Sequence, residues 1–387
     1  MLFVQTKAFR PLPIRQASLS YPLTGVRLRP GLWSACENRA GLTGYLPFTL
    51  KQVAGNYAID VCLDSKYNSI KGQTLLSING ISRKELVQKC ALATTGFPEQ
   101  RTATALRQFG YLYPWASKLK TTFLLKTNNG KSFNITGITL KEWDNYLAIK
   151  ANKADCEERF SYTRHNDAGY INACSFDVKP KGKYSLDSIK HKIDGIFRQI
   201  KQDGVNKLVI DISHNEGGNS SVGDYLISYI YGKPYMDYQT NWKRSDEYLQ
   251  LLKSWGIENP SYAAEPVGKV LRYPSEQVNP EIVPNTFSGK VIIVIGPATF
   301  SSALSFATLI RDNHIAKLIG QTPVNGHPNG FGEMYYTNLP HTQIFVRFGV
   351  KEHIRPAGKI SDNNLRPDVA LTESQMMDID KLVRQNY

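Results

Sequence analysis

A pair of glycines follows an apolar run in the segment DISHNEGGNSS, residues 211–221. Glycine has no side chain to block an approaching group, so Gly217 and Gly218 leave backbone N–H groups open to a developing or bound anion. The spacing of a phosphate-binding loop is absent because no GK[ST] sequence follows. The segment therefore predicts an oxyanion site, and an ordinary tight turn is the alternative.

A second segment, IGPATFSSALSFA at residues 295–307, places two serines where an apolar strand gives way to a helix. The unpaired N–H groups and the positive dipole at a helix N-terminus stabilise an alkoxide. Ser301 is therefore the predicted nucleophile, and the N–H of Ser302 is a predicted oxyanion donor. The alternative role for Ser301 is that of a helix N-cap.

Both segments belong to a pattern in which strands and helices alternate. The predicted strands are 169–176, 207–212, 291–295 and 316–320, and the predicted helices begin at Ser185 and at Ser301. The helix after Ser185 carries one apolar stripe that must pack on a sheet. Such alternation indicates an α/β layer structure for residues 154–387.

Residues 45–153 show a different pattern of predicted elements, with short strands and turns. Residues 46–53 and 57–63 predict a hairpin that turns at Gly55-Asn56, and the strands at 121–125 and 132–139 flank Asn128-Asn129-Gly130. Between them, GQTLLSING (72–80) predicts a strand and an Asn-Gly turn before a helix. This segment resembles the core of PDZ-type domains, and an unrelated hairpin followed by a helix is the alternative.

The composition is that of a globular protein, with 41% hydrophobic residues and a formal net charge of +14. The basic residues are scattered, which argues against a nucleic-acid-binding protein. Five cysteines without metal-ligand spacing argue against both a disulfide scaffold and a zinc site, and no cofactor is expected. The uncharged run 291–310 is interrupted by Gly296 and Pro297, so we expect a buried strand and helix there and no transmembrane segment.

The first residues of the chain contain no acidic side chain up to Ala35, but they include several arginines and prolines. This composition resembles an organelle transit peptide, although the prolines interrupt any amphipathic helix. No apolar stretch is long enough for a secretory signal peptide. Residues 1–44 are therefore predicted to be an atypical basic extension, and a shortened version of a longer enzyme is an alternative.

Five motifs occur in the order and spacing of the C-terminal-processing, or tail-specific, serine peptidases, including their tricorn-core relatives. The motifs are GYINACSF, LVIDISHNEGGNS, GKVIIVIGPATFSSALSFATLIRDN, AKLIGQT and LRPDVAL, and the resemblance covers residues 154–372. The resemblance implies a crotonase- or ClpP-like β-α spiral protease domain, preceded by the smaller β-rich, PDZ-like module. It also implies peptide or protein substrates and an envelope, periplasmic or secreted location. It leaves the oligomeric state open.

By position, Ser301 matches the family nucleophile, and the N–H of Ser302 and that of Gly217 or Gly218 match the oxyanion donors. The sequence departs from the family at the general base. The lysine that many relatives place after the strand ending in IGQT is absent, and no histidine precedes His165.

His327, on a Gly/Pro loop, is the nearest replacement for the base, and Asp362 stands near the position of the carboxylate used by tricorn-like relatives. Lys351 and His214 are weaker candidates, and a loop histidine without a role is the alternative for His327. The sequence thus predicts a serine endopeptidase that acts through an acyl-enzyme. A catalytically degenerate peptide-binding protein is the alternative.

Overall fold

The computed structural model describes residues 44–94, 98–117, 120–152, 156, 158–341, 345–358, 364–385 and 387. Contacts divide the chain into two compact units. The first unit runs to Lys153 and includes Tyr336–Phe348, and the second comprises Ala154–Tyr335 and Gly349–Tyr387. Apart from Gly44, the predicted basic extension lies outside the described residues.

The first unit contains a two-stranded hairpin, β1-β2, and a four-stranded sheet in the order β4-β3-β5-β6. Its elements are β1 (Phe48–Val53), β2 (Asn56–Cys62), β3 (Leu75–Ile78), β4 (Ile81–Ser82), α1 (Arg83–Leu92), α2 (Pro98–Arg107), α3 (Phe109–Ala116), β5 (Thr122–Thr127), β6 (Ser132–Thr136) and α4 (Leu140–Asn152). Asn79 and Gly80 both have positive φ and connect β3 to β4. The strand, turn and helix predicted from GQTLLSING are therefore present.

Helices α2 and α3 occupy a stretch for which the sequence predicted no element. Helix α3, FGYLYPWA, is apolar on all sides and includes Pro114. Such a helix has no polar face and therefore no 3.6-residue pattern to detect. Phe109 and Tyr113 are fully buried in the core of this unit, together with Phe48 and Phe123.

The second unit is built on a six-stranded sheet in the order β18-β15-β14-β9-β8-β7. Its elements are β7 (Phe160–His165), β8 (Ala168–Ala173), α5 (Leu186–Asp203), β9 (Lys207–Asp211), α6 (Ser220–Ile230), β10 (Tyr235–Met236), β11 (Gln239–Lys243), α7 (Asp246–Ser254), α8 (Pro260–Ala264), β12 (Val270–Tyr273), β13 (Gln277–Val278), β14 (Lys290–Ile295), α9 (Ser302–Asp312), β15 (Lys317–Gly320), β16 (Gly330–Asn338), β17 (Phe345–Ile354), β18 (Val369–Ala370), α10 (Glu373–Met377) and α11 (Ile379–Arg384). All pairs in this sheet are parallel except β7 with β8.

The centre of the sheet is buried on both faces. Strand β9 is buried at every residue, and Ile210 lies opposite Ile293 of β14. On one face, the apolar stripe of α5 packs with residues of α6 and α9, and on the other face α11 contributes Leu382 and Val383. Helices on both faces account for the continuous apolar runs that predicted these strands.

The chain between α6 and β14 forms short strands and helices that the sequence did not predict. Strands β12 and β11 join β17 and β16 in a second sheet, in the order β12-β11-β17-β16. Its aromatic cluster consists of Trp242, Tyr248 and Tyr262, with Leu252. The strands here have two to five residues, too few to show a clear period of two.

One disulfide joins Cys156 to Cys174, with a Cα–Cα distance of 5.6 Å. The cysteine pattern argued against a disulfide scaffold, and it did not predict this single bond. Cys62 and Cys90 are free thiols, whereas Cys36 lies outside the described residues. The bond links Cys174, the residue directly after β8, to Cys156 near the start of the second unit.

The uncharged run 291–310 forms most of β14 and α9, as expected for a buried strand followed by a buried helix. In the part of the chain that the structure describes, no helix has the length and apolar character needed to cross a membrane. The run therefore serves as the middle of the second unit's core.

Candidate active site

Gly217, Gly218, Ser301 and Ser302 lie where the chain leaves β9 and β14, two adjacent parallel strands. After β9 the chain passes through Gly217 and Gly218 into α6, and after β14 it passes through Ser301 into α9. Because parallel strands end at the same edge of a sheet, the two loops meet there.

Ser301 has an unusual backbone conformation, with φ 52° and ψ −127°. A residue other than glycine held in such a region costs about 1–3 kcal/mol and is typical of functional sites. The residue stands at the N-cap position of α9, but its side chain makes no capping hydrogen bond and it is exposed. The hydroxyl group therefore does not play the capping role that was the alternative reading of this serine.

Thr299 ties together the ends of the two strands. Its hydroxyl donates to the carbonyl of Ile212 (2.8 Å) and accepts from the N–H of Gly296 (2.9 Å). The side chain is fully buried. This arrangement fixes the loop two residues before Ser301 against the end of β9.

Asn215 holds the other loop, and it is fully buried as well. Its Nδ2 donates to the carbonyl of Ala173 (2.7 Å), and its Oδ1 accepts from the N–H of Gly217 (2.8 Å). Its backbone carbonyl accepts from the N–H of Phe300 (3.0 Å). A single residue thus connects the end of β8, the glycine pair and the residue that precedes Ser301.

Gly217 lies against Ser301, and Gly218 lies against Phe176. A Cβ on Gly217, which has φ 99°, would stand 2.7 Å from the Cβ of Ser301 and 3.0 Å from the backbone nitrogen of Ser302. Gly218 forms a parallel bridge with Phe176. Among the described residues, neither the N–H of Gly218 nor that of Ser302 donates to a protein acceptor. These two N–H groups are available to a ligand.

His327 lies in the loop between β15 and β16. Hydrogen bonds join this loop to the end of β14, from Gln321 N–H to Ile295 O (2.9 Å) and from Val324 N–H to Pro297 O (3.1 Å). Nδ1 of His327 contacts the carbonyl of Asn329. A carbonyl only accepts, so Nδ1 carries the proton and Nε2 is unprotonated in the neutral ring.

The remaining candidate residues have other neighbours. Nδ1 of His214 lies 3.0 Å from Ser213 Oγ, and the residue is exposed. The ammonium group of Lys351 lies over the ring of Trp242, 4.9 Å from its centre, in the second sheet. Asp362 lies outside the described residues.

Asp211 and Asp368 both accept backbone hydrogen bonds. Asp211 accepts from the N–H of Ser213 (2.7 Å) and from the hydroxyl of Tyr170 (2.7 Å). Burial, and then the charge of Asp211, raise the pKa of Tyr170, so this phenol stays protonated and donates. Asp368 accepts from the N–H of Leu318 (2.7 Å).

The sequence analysis missed the roles of Asn215 and Thr299. A signal for Asn215 was present, because an asparagine two residues before a glycine often accepts from that glycine's N–H in an Asx turn. Nothing comparable marks Thr299, whose partner Ile212 belongs to another strand. Within the described ranges, no group of three or more His, Cys, Asp or Glu side chains is placed to hold a metal ion.

Comparison with known proteins identifies the family. The model of peptidase family S41 matches residues 167–371, more than half of the chain, and the chain therefore belongs to this family. The match confirms the resemblance to C-terminal-processing peptidases and establishes a peptidase domain of mixed α/β structure. A search of curated proteins found no match.

Solved structures similar to this chain include mature CPAF complexed with lactacystin, with 14% identity and a TM-score of 0.56 over 87% of this chain and 82% of CPAF. Mature CPAF alone gives 14% identity and a TM-score of 0.55, covering 87% and 80%. The photosystem II D1 C-terminal processing protease gives 12% identity and a TM-score of 0.42, covering 95% and 83%. At these identities, the likeness to CPAF concerns the fold alone.

Proposed function

We propose that the protein is a serine endopeptidase that cleaves extended or C-terminal peptide segments through an acyl-enzyme. The observation that carries the proposal is the conformation of Ser301. In a member of a peptidase family, this exposed serine has a strained backbone, and its hydroxyl does not cap the helix. Within the part of the chain that the structure describes, the N–H of the next residue, Ser302, and that of Gly218 in the neighbouring loop have no protein acceptor. Strand, sharp turn and helix are the local structure in which hydrolases present a nucleophilic serine.

In the first step, the hydroxyl oxygen of Ser301 attacks the carbonyl carbon of the scissile peptide bond, and the general base takes the hydroxyl proton. The carbonyl oxygen becomes an oxyanion that accepts hydrogen bonds from the N–H groups of Ser302 and Gly218. Gly218 suits this role better than Gly217, whose N–H already donates to Asn215. The amine then leaves with the proton, and water hydrolyses the acyl-enzyme by the same route.

We assign the role of the general base to His327. Its loop is hydrogen-bonded to Pro297, four residues before the nucleophile, and the Asn329 carbonyl favours the tautomer with an unprotonated Nε2. A neutral imidazole is the commonest general base for a serine nucleophile. Asp362 remains the proposed carboxylate of the site, by position in the sequence alone.

We further propose that residues 154–387 form a crotonase- or ClpP-like spiral protease domain and that residues 45–153 form a PDZ-like module that helps to capture substrate. The order β3, tight turn, β4 and α1 supports the second assignment, since a PDZ-type domain binds a peptide by strand addition beside a helix. The contact boundary after Lys153 supports the division between the two.

A fluorophosphonate probe, which reacts covalently with activated serines, tests the assignment. We expect the native protein to be labelled and Ser301→Ala not to be, and His327→Gln to be labelled at least about 100-fold more slowly, because a general base contributes about 10²–10⁴ in rate. Ser220→Ala is the matched control, because Ser220 is also an exposed serine at the start of a helix.

Undiminished labelling of Ser301→Ala would exclude Ser301 as the nucleophile. Unchanged labelling of His327→Gln would exclude His327 as the general base and would leave the assignment of Ser301 intact. If the folded native protein is not labelled and cleaves no peptide, the degenerate peptide-binding reading replaces the endopeptidase.

A further inference from the structure

We propose that Asn215 is a positioning residue whose carboxamide decides which N–H groups of the Gly217–Gly218 turn face the oxyanion. The inference rests on the proposed function, in which the N–H groups of Gly218 and Ser302 hold the oxyanion. Asn215 itself touches no reacting atom in this scheme. It acts through the backbone of the two glycines.

The two ends of the carboxamide are used by different parts of the chain. Nδ2 donates to Ala173 O at the end of β8, and Oδ1 accepts from the N–H of Gly217. Both contacts are buried away from solvent. Because the first contact fixes the side chain to the sheet, the second commits the N–H of Gly217 to Asn215 and makes it unavailable to the oxyanion.

The neighbouring hydrogen bonds determine where the next N–H points. Phe176 N–H donates to Gly217 O (3.1 Å), and Asn219 N–H donates to Phe176 O (2.8 Å). In this parallel bridge, the N–H of Gly218 is directed away from Phe176. Withdrawing the N–H of Gly217 and fixing its carbonyl therefore leaves Gly218 as the donor of the pair.

Only an asparagine satisfies both neighbours. An aspartate at this position keeps an acceptor for the Gly217 N–H but has no donor for the Ala173 carbonyl, and it buries a charge. Serine and alanine are too short to span the two groups. Two consecutive glycines have wide conformational freedom, so the turn loses its single orientation when the carboxamide is removed.

Replacing Asn215 should weaken binding of the transition state and not binding of the substrate, because the oxyanion forms only in the transition state. For Asn215→Ser and Asn215→Asp, we expect kcat to fall about 100-fold with KM changed less than about threefold, as when one oxyanion donor is removed. The affinity for a peptide aldehyde, whose hemiacetal mimics the tetrahedral intermediate, should fall by the same factor as kcat/KM.

Asn219→Ala is the matched control. Asn219 lies in the same loop, and its Oδ1 also accepts from the N–H two residues on, that of Ser221 (2.9 Å). That bond caps α6 and does not hold the glycine pair. We expect Asn219→Ala to lower the melting temperature but to retain kcat and aldehyde affinity within about threefold. If Asn215 had only a structural role, the Asn215 variants and Asn219→Ala would lose stability and activity in the same proportion.

Hydrogen exchange at single-residue resolution gives a readout that does not need activity. In the native protein, the Gly217 amide should exchange slowly and the Gly218 amide rapidly, and Asn215→Ser should make the Gly217 amide rapid. Equal exchange of both glycine amides in the native protein would overturn the proposal, as would native kcat in a folded Asn215→Ser variant. If the native protein fails to hydrolyse peptides, the proposed function fails, and the exchange pattern still decides whether Asn215 orients the turn.

Discussion

Gly217 leaves no room for a side chain beside Ser301, the proposed nucleophile. An alanine Cβ there would stand 2.7 Å from Ser301 Cβ and 2.8 Å from Phe300 O, in a backbone with positive φ. We expect Gly217→Ala to reduce the rate of fluorophosphonate labelling at least about 100-fold, because it displaces both the hydroxyl and the oxyanion donors.

The control for this change is Gly195→Ala. Gly195 lies in α5, and a Cβ there would meet no atom within 4 Å. We expect this variant to be more stable by about 0.5–1 kcal/mol, from helix propensity, and to be labelled at the native rate. Native labelling of Gly217→Ala would show that Ser301 tolerates displacement and would contradict the packing argument.

The carboxylate of Asp224 in α6 is destabilised by burial and by neighbouring negative charges. Burial, and then the charges of Asp237 and Glu281, raise its pKa to about 6. A carboxyl whose pKa is higher in the folded than in the unfolded state stabilises the fold only when protonated. Stability is therefore lost as the pH rises from about 4 to about 6, and above that range the ionised group costs up to about 3 kcal/mol.

We accordingly expect Asp224→Asn to increase the free energy of unfolding at pH 7, with a gain that shrinks as the pH falls towards 4. Urea unfolding between these pH values measures it. Asp187→Asn is the control with the opposite sign, because Asp187 is exposed and favourable in the first turn of α5. A gain for Asp224→Asn that grows in acid would refute the burial argument.

The elements around the site depend on the segment that follows β8. Cys174 directly follows Ala173, the acceptor of Asn215, and lies two residues before Phe176, which pairs with the glycine turn. The disulfide to Cys156 closes a short loop, with a sequence separation of 18. Cross-linking a loop of this size stabilises a protein by about 3 kcal/mol.

Cys174→Ser should therefore lower the free energy of unfolding of the second unit by about 3 kcal/mol, and it should also slow peptide cleavage. Denaturant unfolding and turnover, each with and without a dithiol reductant, test this expectation. The reductant should affect the native protein and leave Cys174→Ser unchanged. Equal responses of both proteins would mean that the disulfide does not support the site.

The sequence predicted the elements whose pattern is strong. The apolar runs LVIDI and VIIVI became β9 and β14, and the stripe after Ser185 became α5. It did not predict α3, which is apolar on every side, or the short strands between α6 and β14. The C-terminal segment forms two short helices, α10 and α11, which meet at Asp378.

The sequence predicted only those parts of the site that depend on residues within a single loop. The glycine pair and the serine at the head of a helix were visible, but the backbone angles of Ser301 and the contact between Asn215 and Ala173 were not. That contact joins residues far apart in sequence, and it exists only after β8 and β9 have paired. Asp362 lies outside the described residues, so its place in the site stays a prediction.

At the scale of the whole molecule, the net charge of +14 should affect how substrates arrive. A strongly positive protein attracts anionic partners, and salt screens this attraction over about 10 Å at 0.1 M. We expect kcat/KM for an acidic peptide to fall between about 50 mM and about 500 mM salt. A neutral peptide with the same residues around the cleaved bond should show little change, and identical salt responses would exclude electrostatic steering.

The order of strands in the central sheet also bears on how the protein acquires its activity. Strands β7 and β8 pair locally, whereas Lys207 of β9 lies opposite Lys290 of β14, with three helices (α6, α7 and α8) and four short strands between them in the sequence. Long-range parallel pairing is slow because the loop must close before its contacts form. The conformation of Ser301, the proposed nucleophile, should therefore be among the last features to appear during refolding, so that its labelling marks completion of the sheet.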